Sequence, residues 1–160
     1  MVAIGVVVAM VSFSAFGQTL ETAFSNDFDT WEFDGITIET AFSNDWDNWE
    51  YGNSIEIETA FTEDWDNWEV GRNTTLETEF REDWDSWEIT SGATTVYVST
   101  RFSEDWDSWE VTGDATGSME TSFSNDFDDW DIDVDFSSVS EEVRAAIVFV
   151  PIFISSIYLR

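Results

Sequence analysis

One motif, used about six times, constrains this chain more than any other feature of its sequence. The fullest copies are Ile57-Glu-Thr-Ala-Phe-Thr-Glu-Asp-Trp-Asp-Asn-Trp-Glu-Val70 and Leu76-Glu-Thr-Glu-Phe-Arg-Glu-Asp-Trp-Asp-Ser-Trp-Glu-Ile89. The others begin at Leu20, Ile38, Val98 and Met119. Their key phenylalanines are Phe24, Phe42, Phe61, Phe80, Phe102 and Phe123, in steps of 18, 19, 19, 22 and 21 residues. All ten Trp residues fall inside the motif. A fixed period near twenty means one small structural unit used repeatedly, each copy burying its apolar face against its neighbours.

Each copy has two parts. In the first, Ile55, Ile57, Thr59 and Phe61 alternate with Glu56, Glu58, Ala60 and Thr62. Period-two alternation rich in β-branched residues is a half-buried strand. In the second, Phe61, Trp65 and Trp68 stand at i, i+4 and i+7, the spacing of one helical face. Thr62, like Ser43, Ser103 and Ser124, occupies an N-cap position, and acids follow in the first turn. This predicts a short capped helical turn, too short to be stable alone and held by burial of its aromatics. The alternative is an irregular hairpin loop with the same aromatics tucked under it. A brief second strand, such as Trp68-Glu69-Val70, closes the unit.

The expected fold is therefore all-β: a repeat-built antiparallel sheet or meander with short helical turns, one face aromatic and one acidic. A β-solenoid is the rival, since a period near twenty suits a coil. The chain divides into an apolar N-terminal segment 1–19, an acidic-aromatic domain 20–136 and an apolar C-terminal segment 137–160. Phe42, Trp46, Trp49, Phe61, Trp65, Trp68, Phe80, Trp84, Trp87, Phe102, Trp106 and Trp109 are expected to be the buried aromatic framework.

The chain has no His, Cys or Lys. That removes the commonest general base, the thiol nucleophile, the Schiff-base lysine and the usual zinc ligands. A carboxylate-pair glycosidase needs one distinctive pair in a cleft, whereas here the carboxylates recur along the chain. The expectation is a protein that is not an enzyme. Its net charge is −30, a field that repels nucleic acid and anionic membranes and attracts cations or a basic partner. The aromatic content, 17%, is far too high for a disordered acidic tail.

The two ends differ from the body. Met1 to Gly17 is uncharged and has three readings: buried strands, a signal peptide cleaved before Gln18, or a short membrane span. Ala145 to Leu159 is also uncharged and contains Pro151. It reads as a strand pair around that proline, docked on a partner, with Ser140-Glu-Glu-Val-Arg144 starting a short helix before it. Two uncharged, strand-prone ends on an acidic body favour assembly with other copies or other proteins.

The acidic turns carry the remaining chemistry. Asp45, Asp47 and Glu50, and again Asp64, Asp66 and Glu69, follow an Asp-x-Asp-x-x-Glu pattern of hard oxygen donors that suits calcium. The pattern lacks the EF-hand glycine and the twelve-residue span. The competing reading is that these acids cap the turns and face water.

The Glu-Asp-Trp-Asp-Ser-Trp-Glu and Ser-Asn-Asp-Trp-Asp-Asn-Trp-Glu segments resemble acidic-aromatic repeats of tailed-phage structural proteins, although the Gly that often precedes the phage Trp is absent here. The resemblance covers residues 20–132. It implies a virion component of the neck, tail or head surface, present in several copies, and supplies no catalytic residues. An exported bacterial surface or filament protein, located outside the cell and binding calcium, is the alternative.

Overall fold

A computed structural model describes residues 17–159 apart from Asn26 and Asn44. The N-terminal segment up to residue 16, with its three readings, lies outside the described residues. The strands are β1 (Gln18–Thr22), β2 (Thr30–Phe33), β3 (Ile36–Thr40), β4 (Asn48–Tyr51), β5 (Ile55–Thr59), β6 (Asn67–Val70), β7 (Thr74–Phe80), β8 (Asp83–Ser91), β9 (Thr94–Thr100), β10 (Ser108–Gly113), β11 (Thr116–Thr121) and β12 (Asp129–Asp135). Each pairs antiparallel with the next, and β1 pairs with β12. The fold is mostly β, and it is a closed twelve-stranded barrel rather than a solenoid. Closure leaves no sheet edge open.

The alternation read from the sequence sets the two faces of the wall. Ile55 and Ile57 of β5 are buried while Glu56 and Glu58 are exposed, and β4 and β6 repeat the pattern. Inward side chains stack in tiers. Leu20, Ile38, Ile57, Leu76, Val98 and Met119 form one tier, and Trp31, Trp49, Trp68, Trp87, Trp109 and Trp130 form a ring beside it, all fully or almost fully buried. Register explains the stacking: Trp49 sits opposite Ile57, Trp68 opposite Leu76 and Trp109 opposite Met119.

Up-and-down topology puts two kinds of connection at opposite ends. One end has tight turns. The first, Asp34-Gly35, has φ of 50° and 74°, and positive φ at both central residues is what a two-residue hairpin matching the strand twist requires. At the other end each odd strand connects to the following even one through a longer acidic loop, except that β7 and β8 continue to the two-residue turn Arg81-Glu82.

A barrel of this many strands is too wide to be filled by its own side chains. The C-terminal segment fills it. Helix α1 (Glu141–Phe153) and the π-helical turn Ile154–Tyr158 that continues it run from the tight-turn end to the loop end. Phe149 packs on Trp49 and Trp68, with ring centroids 5.6 and 4.8 Å apart. Phe153 meets Trp68, Trp84 and Trp87. Ser155 and Ser156 accept hydrogen bonds from the indoles of Trp130 and Trp31, at 3.2 and 3.1 Å. The helix thus touches the wall on several sides, and every residue from Ala145 to Ser156 is buried.

The helix entry is clamped to the turns. Ser140 caps it, its hydroxyl accepting from the Val143 amide. Glu142 accepts from the Arg72 and Asn73 amides and the Thr74 hydroxyl. Gly71, at φ 62°, lies so close beneath that a Cβ there would fall 2.5 Å from the Glu142 carboxylate. Arg144 pairs with Asp34 at 2.7 Å and lies 5.0 Å from the Phe33 ring centre.

Two expectations are corrected. The strand pair around Pro151 is a helix. In a dry lumen with no free strand edge, only a helix satisfies its own backbone groups, and packing overrides the cost of an interior proline. The acidic loops contain turns rather than helical turns. The Asp64 amide bonds to the Phe61 carbonyl at 2.9 Å, with Glu63 at φ 59°. A positive φ at the third residue of a four-residue turn is incompatible with a continuing right-handed helix. The irregular hairpin loop is the form adopted.

Candidate functional site

The loop end carries three levels of aromatics. Innermost is the buried Trp ring. Five of its members, Trp31, Trp49, Trp68, Trp87 and Trp109, donate their indole N–H to the carbonyl three residues earlier, at 2.8 to 3.1 Å. Next come Phe28, Trp46, Trp65, Trp84, Trp106 and Phe127, half-buried against the core. Tyr158, near the end of the plug, sits between Trp84 and Trp106, 4.8 and 4.7 Å from their rings. Outermost are Phe24, Phe42, Phe61, Phe80, Phe102 and Phe123, each 68–73% exposed.

The expected burial therefore holds for Trp49, Trp68, Trp87 and Trp109, in part for Trp46, Trp65, Trp84 and Trp106, and not for Phe42, Phe61, Phe80 or Phe102. The reason is geometric. Most strands end at residues such as Thr59, so Phe61 lies beyond the rim, while Phe80 is the last residue of β7, past the register shift after Thr78; the lumen below is already closed by the two inner aromatic levels.

The loops are braced to one another by their acids. Asp47 accepts from the Glu63 amide at 3.3 Å and the Trp65 indole at 3.0 Å. Asp66 accepts from the Glu82 amide at 2.9 Å and the Thr78 hydroxyl at 3.0 Å. Asp85 takes the Glu104 amide and Asp107 the Asn125 amide, each at 3.2 Å. The receiving residues Glu63, Glu82, Glu104 and Asn125 all have φ near 60°. That conformation costs a non-glycine residue of order 1 kcal/mol, and a charge-assisted hydrogen bond to its amide offsets it. In the last loop Asp126 hydrogen-bonds to Asp128 and, with some burial, raises that carboxyl above its usual range. At the opposite end, burial above all pushes the Tyr51 phenol far up, while its hydroxyl donates to Glu141 at 3.2 Å.

This bracing bears on the calcium candidates. Asp47 and Asp66 hold the next loop. Asp45 accepts from the Asp47 amide and the Asn48 side chain, and Asp64 from the Asn67 side chain. Glu50 and Glu69 stand on β4 and β6 with the exposed side chains of the outer wall. The pattern crosses from loop into strand, so its third acid leaves the first two. Among the described residues no group of three such side chains is placed to hold a metal ion.

The outer wall carries carboxylates directly opposite one another: Glu21 with Glu32, Glu39 with Glu50, Glu50 with Glu56, Glu58 with Glu69, and Glu77 with Glu88. Like charges so placed destabilise a sheet. Among the described residues, the ion pairs compensate only Glu120, through Arg101, and the Asp34–Arg144–Glu141 group. A cleft of about 270 Å³ opens beside Phe42, with Ala41, Trp49, Glu50, Glu56 and Glu58 also lining it. Sequence reasoning missed this cleft and the plug's contacts through Ser155, Ser156 and Tyr158. The signal for the serines was present: they are the hydroxyls of an otherwise apolar stretch, and buried indoles need acceptors.

No family model matches the chain, and no curated protein or solved structure matches it.

Proposed function

We propose that this chain is a non-catalytic structural protein that docks into a larger assembly through the crown of loops at one end of its barrel. The observation that carries the reading is the set of six phenylalanines, 68–73% exposed, at matching positions on that end. Large apolar side chains grouped on a surface mark interaction sites, and a closed barrel whose loops are braced to each other holds them rigidly, which lowers the ordering cost of binding. The carboxylate-faced wall is the reverse of the apolar band by which a barrel crosses a bilayer, so the proposed partners are proteins. A multi-copy virion component of a tailed phage, at the neck, tail or head surface, is the assembly we propose, on the resemblance of residues 20–132.

Replacing all six phenylalanines with Ser tests the docking reading. Because they are exposed, the variant is expected to keep the parent's circular dichroism and to melt within a few degrees of it. At about 0.5 M salt, where the Debye length shrinks below 5 Å, the parent is expected to self-associate in sedimentation velocity and the variant to stay monomeric. A parent that remains monomeric under these conditions, or a variant that associates equally, contradicts the reading.

A further inference from the structure

We infer that the partner docking on the crown is a basic protein surface that seats an Arg or Lys side chain beneath the phenylalanine of each loop. The inference rests on the docking reading and names the occupant.

The cleft beside Phe42 shows the arrangement. A phenyl ring 72% exposed lines one cleft with Glu50, Glu56 and Glu58. The register places the same parts around the barrel. The residue eight after each crown phenylalanine is an outward acid: Glu32, Glu50, Glu69, Glu88, Glu110 and Asp131. A second acid enters from the next strand, because Thr30 pairs with Glu39, Asn48 with Glu58, Asn67 with Glu77, Ser108 with Glu120 and Asp129 with Glu21. Below Phe80 the pairing is Ser86 with Ser99, so that position has one acid fewer.

Charge decides among occupants. Anything resting on Phe42 also covers the carboxylates beside it. Burying those without counter-charges costs several kcal/mol each, so a neutral apolar partner is disfavoured. A second copy brings its own −30, and contact between crowns needs screening salt. A cation satisfies both parts of the cleft: its charge meets the carboxylates, and its stem and charge lie against the ring. Five such positions on one rigid end, with the single-acid position at Phe80, act together, which multiplies weak single contacts.

The probe is a decalysine peptide, titrated into the full chain at about 0.1 M salt. The parent is expected to bind it. Phe42→Ser combined with Phe61→Ser and Phe102→Ser leaves the charge untouched and is expected to weaken binding about tenfold or more. Glu50→Gln with Glu58→Gln is expected to weaken it severalfold more than Asp133→Asn with Asp135→Asn, which removes equal charge near the other end. A triple phenylalanine variant that binds within twofold of the parent overturns the inference, because net charge alone then holds the peptide. Equal weakening by the two neutralised pairs overturns it as well. If the phenylalanines govern salt-induced association but not peptide binding, docking stands and the choice of partner fails; if they govern neither, both fail.

Discussion

Removing residues 138–160 is expected to leave a chain that does not fold. The segment contributes Val143, Ile147, Val148, Phe149, Val150, Ile152, Phe153 and Ile154, all 0–1% exposed. At about 1.5–3 kcal/mol for each buried side chain, their loss is on the order of 12–24 kcal/mol, against roughly 5–15 kcal/mol of total stability for a typical domain. The loss extends to the wall, because the Trp ring would then line an empty lumen, Trp130 would lose the Ser155 hydroxyl that accepts from its indole, and Trp31 would keep only the Phe28 carbonyl of its two acceptors. Fluorescence provides the check. The truncated chain is expected to emit as tryptophan in water and to show no cooperative melting. A truncated chain with native-like emission and a sharp transition contradicts a helix-filled barrel.

Phe153→Ala is expected to be the most damaging kind of single substitution, at about 3–5 kcal/mol. Its ring meets Trp68, Trp84 and Trp87 at centroid distances of 6.0, 6.1 and 5.0 Å. The cavity cannot collapse easily, because those indoles are fixed on the barrel wall, Trp68 on β6 and Trp84 and Trp87 on β8, and Trp68 and Trp87 are also held by an N–H bond to a backbone carbonyl. For a chain of this size the melting temperature should fall by on the order of 10 °C. Phe61→Ala, on the exposed crown 73% open to solvent, should move it by no more than a few degrees. Equal effects from the two substitutions would place the aromatic core wrongly.

The difference between those two phenylalanines shows where the sequence was legible. Strand alternation such as Ile55-Glu56-Ile57-Glu58 carried the wall, because period two has a direct meaning on a two-faced sheet. The i, i+4, i+7 spacing of Phe61, Trp65 and Trp68 misled, because it is also the spacing of a turn that climbs over a barrel rim. Only the last of the three reaches full burial. The C-terminal helix was hidden for a different reason. A helix buried on all sides has no polar face and so no amphipathic period; its β-branched residues favour strand on propensity alone, and Pro151 argues against an unbroken helix. Ser140-Glu141-Glu142 was a readable N-cap, but nothing local said that the helix would continue through the proline. Closure was equally out of reach. The pairing of β1 with β12 depends on strand count and tilt, which no single segment encodes. For the acids, local spacing suggested a shared cation, while the register sends Asp47 to the next loop and Glu50 to the outer wall.

The central claim is that the apolar C-terminal segment is the core of the barrel, which leaves the phenylalanine crown as the most exposed set of large apolar side chains among the described residues. Native-state hydrogen exchange of residues 145–153 tests it most directly. Those amides are hydrogen-bonded within a helix that is itself enclosed by the wall. They are expected to exchange only through global unfolding, as slowly as the slowest amides of β5 to β8. Exchange of residues 145–153 within seconds, while the strands stay protected, would show a segment free of the barrel and would contradict the account.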